Sequence, residues 1–531
     1  MFDIIIKNGT ILDGTGDRGF VGDIGIRDRE IVFVGTLKDI RAGMVIDASG
    51  LLVAPGFIDI DNHSDAYWQI FLNPDLESMV RQGVTTIVGG NCGASLAPLT
   101  DKSMIQSIQK WTDVRSFNLN WLSMREFLEE VECRDISINF ATLIGHGTLR
   151  RGFVHDDARP LRSTELSGMI KMTKQSLREG SFGMSMGLAY VHGRHATEHE
   201  LSLLAHAIGN YGGFCSIHLR NEGKELAQSV AEAIAVAKHS GARVHISHLK
   251  SVGHLNWKNL DRALYLLEAS DSEGTNVSFD VYPYRSTSSV LYTVLPPWVT
   301  DGGKKMMFER LHSPSVRAKA LSDLQEERID YSSAIISTFS HGLAVRKNVL
   351  EMANAEGKTP EEVIFDILVA SDDRAFISLN ATSEQNIEKV IQHPFSIIST
   401  NGSGYSAKHE ATGENVHPRC FGTFPRVLAR YVREKKLLSW EEAIHKMTGK
   451  PAKVAGIPKR GTIAVGNFAD IVVIHPNDVR DYADIESPYW YPAGIPWVLV
   501  NGKIAVADGE YTGMRAGDVL RRETSFFERF L

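Results

Sequence analysis

Residues 213–248 read GFCSIHLRNEGKELAQSVAEAIAVAKHSGARVHISH. A short apolar run over 213–217 ends in a polar cluster, His218-Leu219-Arg220-Asn221-Glu222. Apolar residues at i, i+3 and i+4 follow over 223–239, the period of a helix packed on one face. A second apolar run, 243–247, ends in a second cluster, His245-Ile246-Ser247-His248-Leu249-Lys250. A strand, a helical crossover and another strand make a parallel unit. The same rhythm recurs along the middle of the chain. Apolar, often β-branched runs stand at 84–88 (VTTIV), 137–144 (SINFATLI), 276–281 (NVSFDV) and 395–399 (FSIIS), and 164–179 has the helical period. Repeated units of this kind predict a parallel sheet or barrel.

Outward from this core the pattern changes. Residues 2–12 (FDIIIKNGTIL) alternate apolar and polar up to a turn at Asp13-Gly14, and 21–27 and 30–35 continue the alternation. The tail repeats it at Gly461-Thr462-Ile463, at 469–474 and at 497–502. Both ends therefore predict one small β domain, from 1–54 and 456–531, around a barrel at 55–455. Residues 296–356 break the strand–helix rhythm with Pro296-Pro297-Trp298 and charged helical segments, and read as an insertion.

Bulk properties narrow the function. The 531 residues are 43% hydrophobic and 23% charged, with a net charge of −7 and no basic run. Nucleic acid and anionic membranes are not expected partners. No apolar run approaches the ~20 residues of a membrane span. The start, MFDIIIKNGTILDG, lacks the basic and apolar regions of a signal peptide. The four cysteines (Cys92, Cys133, Cys215, Cys420) form no CxxC pair, so a reducing cytoplasm is expected.

In a barrel the C-terminal strand ends form the active face, and polar clusters sit where those ends are predicted. Asp59-Ile60-Asp61-Asn62-His63-Ser64-Asp65 follows 51–58. Gly89-Gly90-Asn91-Cys92-Gly93 follows 84–88, and Gly145-His146-Gly147 follows 137–144. Asp61 and His63, two apart in extended chain, can face one point. Zinc takes Cys sulfur, His nitrogen and carboxylate oxygen. Cys92, His218, His248, His63 and Asp61 supply that set. Alone, a buried Cys is a small core residue and a buried His a hydrogen-bonded one; five ligand types at successive strand ends make a metal site the competing reading.

Val53-Ala54-Pro55-Gly56-Phe57-Ile58-Asp59 resembles the amidohydrolase signature, in which a His-x-His pair normally follows. Gly90-Asn91-Cys92-Gly93, Gly145-His146-Gly147-Thr148-Leu149-Arg150, His218 to Gly223, His245 to Lys250, Tyr282-Pro283-Tyr284 and His417-Pro418-Arg419 are similar to the N-acyl-D-amino-acid deacylase branch. The resemblance implies a (β/α)8 barrel with a small β-sandwich from both termini and an inserted subdomain. It implies hydrolysis of a small-molecule amide. It implies one tight zinc on Cys92, His218 and His248, and a weaker second position on the His-x-His pair. It also implies a substrate carboxylate held by Lys250, Arg419, Tyr190 and a tyrosine of the Tyr282/Tyr284 turn, where surface exposure is the competing reading for a Lys or Arg.

Two positions depart from the pattern. The pair reads Asp61-Asn62-His63, and the turn that normally holds the catalytic Asp reads Thr400-Asn401-Gly402. An amide cannot take and return a proton. Three readings stand: Asp61, Asp65 or His63 does the base's work; Asn401 is a substitution that traps substrate; or the protein binds, transfers or rearranges instead of hydrolysing. The last includes a cyclic-amide or amide-transfer enzyme of secondary metabolism and a catalytically silent metal-binding paralogue.

Overall fold

The computed structural model describes residues 1–38, 41–102, 104, 120–275, 277–338 and 347–522. Eight parallel strands run in sequence: Phe57–Asp59, Val84–Gly89, Asn139–Thr142 continued by Ile144–Gly145, Gly183–Gly187, Phe214–His218, Arg243–Ile246, Val277–Val281 and Ser396–Ile398. The eighth returns to the first. Gly402 bridges Asn62 in parallel, and His63 N donates to Gly402 O at 2.7 Å. The ring closes as a (β/α)8 barrel. Its second and fourth strands are buried along their whole length, as expected of a parallel sheet covered on both faces. Helices Ser163–Arg178, Glu198–Gly209, Leu226–Ser240, Asn259–Ser272, Glu384–Gln392 and Trp440–Met447 form much of the outer layer.

The fourth strand, GMSMG, escapes a reading based on β-branched runs. Its glycines are required by close approach: a Cβ at Gly183 would overlap Phe214 O, and one at Gly187 would overlap Cys92 O.

The two ends of the chain share one nine-stranded sheet. Phe2–Ile11, Phe20–Arg27 and Glu30–Gly35 are antiparallel neighbours. Leu52–Pro55 pairs with Ile471–Ile474, which joins the N-terminal strands to Trp497–Val500 and Lys503–Ala507. Ile4, Ile6, Ile24, Ile26, Val473 and Leu499 belong to the separate core of this sheet. Gly461-Thr462-Ile463 is not a strand: Gly461 sits at φ +80° against the Thr448 carbonyl, which turns the chain there.

A further sheet joins Ser286–Val290, Ala375–Asn380, Ile335–Thr338 and Lys347–Asn348 in that order. Helices Gly303–His312, Pro314–Glu326, Val349–Glu356 and Pro360–Ala370 accompany it, around a core with Leu291, Met307, Ile336, Ile364 and Phe365. Residues 296–356 lie inside this unit, whose flanking strands fall outside that range. Asn276, residues 339–346 and residues 523–531, parts of segments named above, lie outside the described residues. Among the described residues no helix is long and apolar enough to cross a membrane.

Candidate metal centre

The polar clusters converge at the C-terminal strand ends. His218 closes the fifth strand, and Cys92 and His248 follow the second and sixth within three residues. Cys92 Sγ lies 3.5 Å from His218 Nδ1 and 3.5 Å from His248 Nε2. The two imidazoles meet edge to face with centroids 4.5 Å apart. His63 Nε2 stands 3.9 Å from the same sulfur and 3.6 Å from Asp61 Oδ1. The ligand atoms of Cys92, His218 and His248 lie within 4.8 Å of one another, and so do those of Asp61, His63 and Cys92.

The backbone is bent to achieve this. Cys92, His248 and Asn401 take φ of 54°, 38° and 46°. For Cys and His this left-handed region is uncommon, costs on the order of 1–3 kcal/mol per residue and concentrates at functional sites.

The electrostatics fit a cation. Both Asp61 carboxylate oxygens are buried and without a hydrogen-bond partner among the described residues. Burial, then the charges of Asp280 and Asp59, push this carboxyl well above its ordinary range. Burial pushes the Cys92 thiol up as well. A buried carboxylate and thiolate side by side call for a positive ion to hold both anions. Burial also depresses His218, His248 and His63, the last to about 3, so all three imidazoles are neutral and able to ligate. The donor set, one thiolate, imidazoles and a carboxylate, is that of zinc.

A second layer orients these groups. His248 Nδ1 lies 3.0 Å from Glu222 Oε1, which also accepts from Lys250 Nζ at 2.6 Å. Burial acts to raise the Glu222 carboxyl, but the Lys250 and histidine charges overrule it and hold it below the carboxylate range. Asp280 binds His245 Nε2 at 2.8 Å and accepts from Ser399 Oγ. Asp59 accepts from Thr400 N at 2.9 Å and from Asn62 Nδ2 at 2.8 Å, which fixes the turn carrying Asn401, and burial lifts it to about 7. Asn401 Oδ1 sits 2.8 Å from His63 Nε2. Asp65 accepts from Gly90 N at 2.7 Å and is lifted by burial to about 6.

Arg419 opens the helix Arg419–Arg426 and is buried. Its guanidinium lies over the Tyr282 ring, 5.1 Å from the centroid, and Nη2 donates to Ser288 O at 3.4 Å. Nε and Nη1 have no hydrogen-bond partner among the described residues. Lys250 Nζ lies 5.9 Å from the same ring centroid. Tyr190 packs on His218 with centroids 4.9 Å apart. Tyr284 is differently engaged: its hydroxyl donates to Pro418 O at 3.4 Å, its ring meets His417, and Arg426 covers it. Sequence reasoning passed over Tyr67, whose ring lies between His63 and Phe376 at 6.4 and 6.1 Å. Tyr67 and Tyr190 both pack on the core of the inserted sheet, which links that unit to the centre. Asp280 was also passed over, inside the strand-like run 277–281.

A closed barrel with a Cys/His/His cluster and a neighbouring carboxylate defines a metal-dependent hydrolase scaffold. The Amidohydrolase family model matches residues 44–278 and 411–506, and the chain belongs to that family. It is 30% identical over 521 residues to D-aminoacylase of Alcaligenes xylosoxydans xylosoxydans, covering 98% of each chain. It is 31% identical over 524 residues to the N-acyl-D-glutamate deacylase of the same organism, covering 98% of this chain and 97% of that one. Among solved structures it resembles N-acyl-D-glutamate deacylase from Bordetella bronchiseptica complexed with zinc and a phosphonate inhibitor. The TM-score is 0.82 and the identity 29%, with 98% of this chain and 100% of that one covered.

Proposed function

We propose that this protein is a zinc-dependent hydrolase that cleaves the amide bond of an N-acyl-D-amino acid. The observation that carries the reading is the convergence of Cys92, His218 and His248 on one buried point beside the Asp61 carboxylate, which has no hydrogen-bond partner among the described residues. Cys92, His218 and His248 would hold one tight zinc; His63 and Asp61 would contribute to a weaker second position. Bound there, zinc supplies Lewis acidity that polarises a carbonyl and acidifies water.

The chain's own residues do the rest. Arg419 offers charged N–H donors at Nε and Nη1 that have no partner among the described residues, suited to a carboxylate. Lys250 adds a charge anchored by Glu222, and Tyr190 and Tyr282 wall the pocket. Asp61 stands where a carboxylate is needed: it takes a proton from the attacking water as the C–O bond forms, and returns it to the nitrogen as the C–N bond breaks. Asn401, 2.8 Å from His63 Nε2, keeps that ring in place. The four cysteines are free in the structure, which suits a reducing cytoplasmic setting.

The test is direct. Purified protein supplied with zinc should release free amine from N-acetyl-D-amino acids and leave the L enantiomers intact. Zinc-loaded protein that releases amine from neither hand would overturn the reading.

A further inference from the structure

We infer that Ser185, on the fourth barrel strand, is a positioning residue for Cys92, and that its hydroxyl sets how tightly a cation is held at that thiol. The inference rests on the zinc reading above.

The turn that carries Cys92 is unusual in its backbone. Gly90, Cys92 and Gly93 all have positive φ, at 72°, 54° and 78°. Such a turn needs external support, because Cys gains nothing from that conformation. Ser185 supplies it from one side. Its Oγ donates to Gly90 O and accepts from Gly93 N at 2.9 Å, so one hydroxyl ties the two ends of the turn together. Thr148 supports the other side. Thr148 N donates to Gly93 O at 3.1 Å, and its Oγ1 accepts from Ser95 N at 3.0 Å. Ser95 Oγ in turn accepts from Gly145 N at 2.8 Å.

The surroundings leave little room for any substitute. A Cβ at Gly187 would overlap Cys92 O, one at Gly93 would crowd Gly187 N, and one at Gly145 would crowd Ser95 N. The turn is therefore held backbone against backbone between the fourth strand and the segment 145–148. Ser185 is fully buried, so solvent cannot replace its two hydrogen bonds. Without the hydroxyl, Gly93 N–H loses its partner and the turn can relax. Cys92 Sγ would then leave its 3.5 Å positions beside His218 and His248. The glycine-rich strand that hides from a β-propensity reading is thus the strand that seats the thiol.

The test is metal binding by Ser185→Ala, with the fold checked by circular dichroism. Zinc affinity, measured against a competing chelator, should fall by about 10–100-fold, the usual effect of removing an outer-shell hydrogen bond. With cobalt(II) in place of zinc, the thiolate charge-transfer band should weaken or shift. Unchanged affinity and an unchanged band in a folded variant would overturn the inference while leaving the zinc reading intact. A wild-type protein with no thiolate band would overturn both. If Ser185→Ala does not fold, Ser185→Cys decides, because its thiol fills the same place but hydrogen-bonds weakly. Weaker zinc binding in that variant supports the inference, and wild-type binding refutes it.

Discussion

Replacing Arg419 by alanine asks whether this side chain binds the substrate's carboxylate. In the structure Nη2 donates to Ser288 O, while Nε and Nη1 are buried and have no hydrogen-bond partner among the described residues. The Tyr282 ring, its centroid 5.1 Å away, lies under the guanidinium. Two charge-assisted hydrogen bonds to a carboxylate are worth about 1.5–3 kcal/mol each, so their joint loss is about 3–6 kcal/mol. At 1.4 kcal/mol per tenfold, kcat/KM should fall by about 10²–10⁴. Arg419→Lys keeps the charge but not the fork and should recover only part of this. The assay is a cycle of two proteins and two substrates, an N-acetyl-D-amino acid and its α-carboxamide. Wild type should strongly prefer the acid, and Arg419→Ala should treat the two nearly alike. An equal loss on both substrates would refute the assignment and leave Arg419 as a packing residue.

Cys92→Ala should remove tightly bound zinc, read by elemental analysis of protein purified without added metal; retained zinc would mean that Cys92 is only packed in the core. Wild type should carry close to one tight zinc per chain. The buried trio of His146, Arg150 and Glu200 offers a stability test. Glu200 Oε1 pairs with His146 Nε2 at 2.8 Å and with Arg150 Nε at 3.0 Å. Burial opposes its ionisation, but the His146 hydrogen bond and the His146 and Arg150 charges depress its pKa overall. A depressed carboxyl stabilises the fold above the unfolded value of about 4.3 and loses that contribution as pH falls through the folded value. Glu200→Gln should therefore lower the urea midpoint at pH 7, and the gap from wild type should close in acid. A gap that is absent at pH 7, or constant down to pH 3, would contradict this.

Much of the barrel is legible because parallel strands buried on both faces read as apolar runs, as at 84–88 and 213–217. The fourth strand is not, since Gly183 and Gly187 are dictated by contacts with Phe214 and Cys92 that local pattern does not encode. The inserted sheet is hidden for a related reason: its first strand, Ser286–Val290, is mostly serine and threonine, and pairs with residues 375–380, nearly a hundred positions on. At the centre, the two-residue spacing of Asp61 and His63 shows in the sequence because extended chain sends alternate side chains one way. Tyr67 is not legible as part of the pocket. Its place depends on Phe376 from the inserted unit, and Tyr284 is engaged by Pro418 and Arg426 from a distant part of the chain. The bond between Asn401 and His63 spans 338 positions and emerges only when the eighth strand closes on the first.

That closure brings positions 61 and 401 to the same imidazole, His63, with Asp61 Oδ1 at 3.6 Å and Asn401 Oδ1 at 2.8 Å from Nε2. We propose that the catalytic carboxylate of this chain stands at Asp61 rather than at 401. The most direct measurement is a cycle of three variants, Asp61→His, Asn401→Asp and the double exchange, each loaded with zinc and assayed on an N-acetyl-D-amino acid. Asp61→His alone leaves no carboxylate at either position and should cost about 10²–10⁴-fold in kcat. Asn401→Asp alone crowds two carboxylates around His63 and should also be slower than wild type. The double exchange returns one carboxylate to the pair and should recover well beyond Asp61→His. A fully active Asp61→His, or an Asn401→Asp variant much faster than wild type, would show that Asp61 is not the base.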